Sequence, residues 1–154
     1  MFNGRTLALT VTACLAALSV AAPATAETTL PFNAIFVESS CAPLTICGTG
    51  NVAELGHVEN SVFVLNACGF NCSLRTITFE NGSTLVTRGA TTSIETPGSS
   101  EDAGAVGSPA WIHGVWTIAG GTGDFAGASG SGTGAIHVAA GQATTRLVGT
   151  ITLP

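Results

Sequence analysis

The chain has 154 residues, 45% of them hydrophobic and only 8% charged, with a formal net charge of −5 and neither lysine nor tyrosine. Its apolar content is too high for a disordered chain, and an acidic surface without lysine is a poor partner for nucleic acid or anionic lipid. Ser, Thr, Asn and Gly must cover much of the surface instead.

One cation, Arg5, precedes an apolar run from Leu7 to Ala22, and Ala24-Thr25-Ala26 follows as the small-x-small pattern of a signal peptidase site. The expectation is a signal peptide over residues 1–26, cleavage before Glu27 and export. Cys14 lies in a loose lipobox, but a lipoprotein would place its cysteine at the end of the apolar run. The run is also shorter than the ~20 residues a membrane-spanning helix needs. Cleavage leaves 128 residues as one domain (27–154), with three arginines against nine carboxylates, a formal charge of −6.

No stretch of this part sustains helical spacing, whereas alternation with period two recurs from Asn33 to Leu153. Strands are predicted at Asn33–Glu38, Gly48–Leu55, Ser61–Ala67, Leu74–Glu80, Ser83–Thr92, Trp111–Ile118, Gly132–Ala139 and Gln142–Leu153. In the last of these Ala143, Thr145, Leu147, Gly149, Ile151 and Leu153 share one face and Gln142, Thr144, Arg146, Thr150 and Thr152 the other. Asn81-Gly82 signals a hairpin, since both residues tolerate the positive φ of a type I′ turn. Short, evenly spaced strands predict an all-β fold, a single eight-stranded antiparallel β-barrel whose closure removes unpaired edges. Residues Thr96 to Pro109, small, acidic and bracketed by proline, read as an exposed loop: a lid over the barrel mouth or, more plainly, a solvated excursion.

Four cysteines, Cys41, Cys47, Cys68 and Cys72, would enter an oxidising compartment, where two disulfides are expected. Their spacing lacks the paired C-x-x-C of structural zinc sites. Local pairing, 41–47 and 68–72, is favoured by the three-residue loop Gly69-Phe70-Asn71, and the nested pairs 47–68 and 41–72 remain an alternative.

Between Trp111–Ile118 and Gly132–Ala139 lies the densest glycine segment, Gly120-Gly121-Thr122-Gly123-Asp124-Phe125-Ala126-Gly127. It fits a loosened dinucleotide fingerprint, but no helix-forming segment follows to receive a pyrophosphate. A structural role is expected: Gly120, Gly121 and Gly123 for a tight turn, Gly127, Gly130, Gly132 and Gly134 for a strand that coils as a barrel closes, and Phe125 as an apolar plug. The run from Gly114 to Gly132, with its Gly-x-Trp-x-Ile approach to the turn, resembles the barrels of plant dirigent proteins and allene oxide cyclases, and more closely their secreted bacterial look-alikes. The resemblance covers roughly the last third of the chain. It implies a small barrel, a cavity lined by aromatics with a few polar groups, and a trimer; no cyclase residue is matched here by motif.

His57, His113 and His137 each stand without an adjacent carboxylate in sequence, and no G-x-S-x-G nucleophile elbow is present, so no catalytic residue is assigned. Glu38 and Glu54 are the carboxylates within apolar strands. Turned into a barrel, either would be a polar ligand anchor or a proton-transferring acid. Trp116 could stack on a hydrophobic ligand. The leading expectation is therefore a secreted, non-catalytic barrel, without cofactor or metal, that binds a small apolar molecule or a macromolecular partner. The rival is a dirigent-like or cyclase-like protein steering a reactive intermediate in a cavity of a few hundred Å3, the usual ligand scale.

Overall fold

A computed structural model describes residues 26–96 and 109–154. The leader expected over residues 1–26 and most of the loop expected from Thr96 to Pro109 lie outside these. Eight strands follow one another: β1 (Thr28–Ala42), β2 (Thr45–Val52), β3 (Gly56–Val64), β4 (Ser73–Phe79), β5 (Thr84–Glu95), β6 (Ala110–Thr122), β7 (Ser129–Ala139) and β8 (Gln142–Leu153). Each pairs antiparallel with the next, and β8 pairs with β1 from Thr28↔Leu153 to Ser39↔Gln142, so the sheet is a closed barrel in sequence order.

Period-two alternation sorts the side chains. Phe32, Ala34, Phe36, Val52, Val58, Ile77, Phe79, Leu85, Leu147 and Ile151 fill the interior, while Asn33, Thr144, Arg146 and Thr150 face outward. The outer face is mixed, since Ile35, Val37, Val115 and Val148 are also exposed on it. No helix among the described residues is long and apolar enough to cross a membrane.

Two ends result. At one, here the base, β2–β3, β4–β5 and β6–β7 turn and both ends of the barrel wall, Thr28 and Leu153, lie. Phe125 closes it from a 3₁₀ turn (Gly123–Phe125), its ring 4.6 Å from that of Phe79. At the other, the mouth, lie the β1–β2, β3–β4 and β7–β8 connections, the end of β5, the start of β6 and both disulfides, Cys41–Cys47 and Cys68–Cys72. Pairing is thus local, and the nested alternative does not occur.

Several expected details are displaced. β3 begins five residues earlier than the run Ser61–Ala67, and β2 ends at Val52, because Glu54 (φ 67°) and Gly56 (φ 107°) turn the chain there. Glu54 is consequently exposed in a turn and does not lie in an apolar strand. The Asn81-Gly82 hairpin forms, but only Gly82 has positive φ (80°). Phe79 O accepts from Gly82 N and Phe79 N donates to Ser83 O, which is a three-residue loop with a bulged glycine instead of the type I′ turn. Positive φ at both central residues occurs at Ala140 (49°) and Gly141 (79°), between the paired Ala139 and Gln142.

Of the three glycines expected to need positive φ before Phe125, only Gly123 (59°) has it; Gly120 is in β6 with open space at its Cβ position, and in Gly121 a Cβ would lie 2.5 Å from the Phe125 carbonyl oxygen. Of the four glycines after Phe125, Gly127 (79°) and Gly130 (157°) have positive φ, and Gly132 makes room for a side chain. Trp116, Gly132, Gly149 and Phe32 stand in register across β6, β7, β8 and β1. The Trp116 indole lies over the two glycines, where a Cβ on either would come within 2.8 Å of its Cζ2, and its ring meets that of Phe32 at 4.9 Å. One residue's bulk thus occupies the inner face of three strands.

Candidate functional site

Halfway up the barrel the apolar filling gives way to a charged group. Glu38 follows Phe32, Ala34 and Phe36 on the inner face of β1, and Arg75 precedes Ile77 and Phe79 on that of β4; each is 2% exposed. Their side chains form an ion pair, Arg75 Nη1 donating to Glu38 Oε1. Ser61 Oγ donates to Glu38 Oε1 (2.9 Å) and accepts from Arg75 Nη1 (2.7 Å). Thr145 Oγ1 donates to Glu38 Oε2 (2.7 Å) and accepts from Arg75 Nη2 (3.2 Å). Two hydroxyls therefore bridge the ions on either side, and the guanidinium is held between the rings of Phe36 and Phe63, each 4.7 Å from Cζ.

Gly48 makes the network possible. It lies in register between Glu38 and Ser61, and its missing side chain leaves the gap through which Ser61 reaches the carboxylate; a Cβ would sit 2.7 Å from Glu38 Cα. Burial lowers the Arg75 pKa from the usual guanidinium value, opposed by the charge of Glu38 and its hydrogen bond. The carboxylate has both oxygens occupied, so it is not a free base. On Arg75, Nε–H meets no acceptor among the described residues.

Arg75 and Thr145 lie on the wall of a cavity of about 60 Å3 on the mouth side of the network, together with Phe63, Ile112, Ile136 and Trp116. Since about 10–15 Å3 on this measure admits one water, the space takes a few waters or a small group. Phe63, Ile112 and Ile136 are only half-buried, which leaves a way in from solvent.

Of the residues singled out from sequence, Glu38, Trp116 and His113 belong to this half of the barrel: Trp116 and His113 line the cavity, Trp116 Nε1 donating to Thr133 O (3.0 Å), and Glu38 stands behind Arg75. Glu54 and Phe125 share a groove of about 380 Å3 at the base with His57, Glu80 and Asp124, remote from the network in the strand order. The histidines are not all alone. His113 Nε2 is 3.8 Å from Glu95 Oε1, both well exposed, and His137 stacks on Trp111 with ring centroids 4.4 Å apart. Arg75, Ser61, Thr145 and Gly48 were not recognised as a group from sequence. The signal for Arg75 was parity: in Arg75-Thr76-Ile77-Thr78-Phe79 it shares its face with Ile77 and Phe79.

Comparison with protein-family models, curated proteins and solved structures finds no match.

Proposed function

We propose that the chain is an exported, disulfide-stapled barrel that binds, without chemically converting, a small and mainly apolar molecule carrying one hydrogen-bond acceptor. The observation that carries this is the cavity beside Arg75, mostly apolar but with Ser73, Thr87, His113 and Thr145 also on its wall, next to a guanidinium whose Nε–H meets no acceptor among the described residues. A carbonyl, carboxylate or phenol oxygen placed there would replace water on a charged donor inside a mostly apolar wall, where such a bond is strongest. Two disulfides support export, since they persist in oxidising compartments.

The closed order of eight strands, with the glycine turn between β6 and β7, is the architecture that the resemblance to dirigent and allene oxide cyclase barrels implies. Against steering a reactive intermediate stand the size of the cavity and the full occupation of Glu38; His113, 3.8 Å from Glu95, is on the cavity wall.

Thermal midpoints measured with short-chain ketones, carboxylic acids and phenols test the reading. A concentration-dependent rise is expected, as any ligand of the folded state requires, and it is expected to vanish in Ile136→Phe, which fills the cavity and leaves the ion pair intact. Stereoselective turnover of a phenolic or cyclisable substrate would replace binding by the cyclase-like reading; no stabilisation by any probe class would end both.

A further inference from the structure

The hydrogens of the buried Arg75 guanidinium are unevenly spent. Nη1 donates to Glu38 Oε1 and to Ser61 Oγ, and Nη2 donates to Thr145 Oγ1. Because Thr145 Oγ1 also donates to Glu38 Oε2 (2.7 Å), it stands at the end of the guanidinium that meets the carboxylate. The hydrogens left over, one on Nη2 and the one on Nε, therefore share the adjoining edge of the planar group. No side-chain nitrogen or oxygen sealed from solvent lacks a partner among the described residues. Nε has no partner there, so it is not sealed, and the space that Arg75 lines is the cavity.

Two parallel donors on one edge suit a single oxygen with two lone pairs, or two oxygens side by side. A carbonyl and a carboxylate both meet that geometry, and charge separates them. The positive charge of Arg75 is already answered by Glu38, which touches it directly and through both bridging hydroxyls. A second carboxylate would leave water for a site that is neutral as a whole and would stand near the first, a cost that only an uncompensated cation returns. A carbonyl oxygen displaces water and takes over its hydrogen bonds on the same donors, with no charge to desolvate. His113, the other titratable residue on the wall, has Glu95 beside it at 3.8 Å. Ser73 and Thr87, both buried, add only neutral polar atoms.

We propose, resting on the binding role given above, that the ligand of this cavity is an uncharged carbonyl compound, and that a carboxylate of the same shape is refused. Its oxygen is shared by the Nε–H and Nη2–H of Arg75, and its apolar part lies against Phe63, Ile112 and Ile136 toward the opening. Glu38 sets this selectivity through Arg75 by cancelling the charge that would otherwise draw an anion.

Methyl isopropyl ketone and isobutyrate share one branched skeleton and differ by a methyl group in place of a charged oxygen. Thermal midpoints over a concentration series give an apparent affinity for each. The ketone is expected to bind about tenfold or more tighter than isobutyrate. In Glu38→Gln, read against that variant's own midpoint, the order is expected to reverse, since the amide keeps the shape of the carboxylate and removes its charge. If Glu38→Gln does not fold, the comparison in the unaltered protein decides. Isobutyrate binding as tightly as the ketone, in a manner that Ile136→Phe abolishes, would overturn the proposal and leave the binding role intact, and so would an unchanged order in folded Glu38→Gln. Stabilisation by neither compound would also overturn it, and the binding role falls as well only if phenols fail too.

Discussion

At the position of Arg75 a guanidinium is stripped of water and given back a carboxylate, two hydroxyls and two aromatic faces. Desolvation of two ions consumes much of their mutual attraction, so the pair contributes less to net stability than its closeness suggests, whereas breaking it strands a buried charge. Glu38→Gln is expected to destabilise by about 3–5 kcal/mol in urea unfolding, and Glu38→Leu combined with Arg75→Met to recover most of that loss. The same reasoning locates Trp116. Gly132→Ala or Gly149→Ala drives a methyl group against its indole and the facing strand, at a cost of about 1–3 kcal/mol, and each is expected to cost less in a Trp116→Leu background. Glu38 was legible only as a carboxylate in an apolar strand, for which a solvent-facing position was the plainer expectation; its even spacing with Phe32, Ala34 and Phe36 is what turns it inward. Its partners were not legible, since Ser61, Arg75 and Thr145 come from strands far apart in sequence and only closure brings them together.

At the level of elements, connections decide more than strands do. The strands follow from alternation and were legible to within a few residues, but their ends depend on where φ becomes positive, and Leu44, Glu54, Asn66, Asn71 and Ala140 adopt it without being glycine. Ala140 is the clearest case, a left-handed alanine in the tight β7–β8 turn where asparagine or glycine is the usual choice. Ala140→Asn is therefore expected to raise stability by about 0.5–1 kcal/mol, read from the urea midpoint. The disulfides staple short loops, of sequence separation 6 and 4, and short loops gain least from cross-linking. Replacing Cys68 and Cys72 together by serine is expected to cost about 2 kcal/mol and to keep the barrel spectrum in circular dichroism.

At the level of the whole molecule the wall is closed by β8, which pairs with β7 on one side and β1 on the other. A chain ending at Gly141 would leave two long edges unpaired and is expected to aggregate on gel filtration instead of forming a smaller barrel. Pairing Thr28 with Leu153 joins nearly the two ends of the described chain, and contacts of such separation place refolding on the millisecond-to-second scale, measurable by stopped-flow fluorescence. Inside this wall the base is apolar, the middle is an ion pair and the mouth holds the cavity. By itself the sequence determined the all-β class, the strand count and the inward and outward faces, because alternation is a local property that any half-buried strand imposes on its own residues. It also pointed to glycine at the β6–β7 turn and to Phe125 as the plug. Only the tertiary structure decided which inward residues meet and how little room they leave between them, because those depend on register summed around a closed circle.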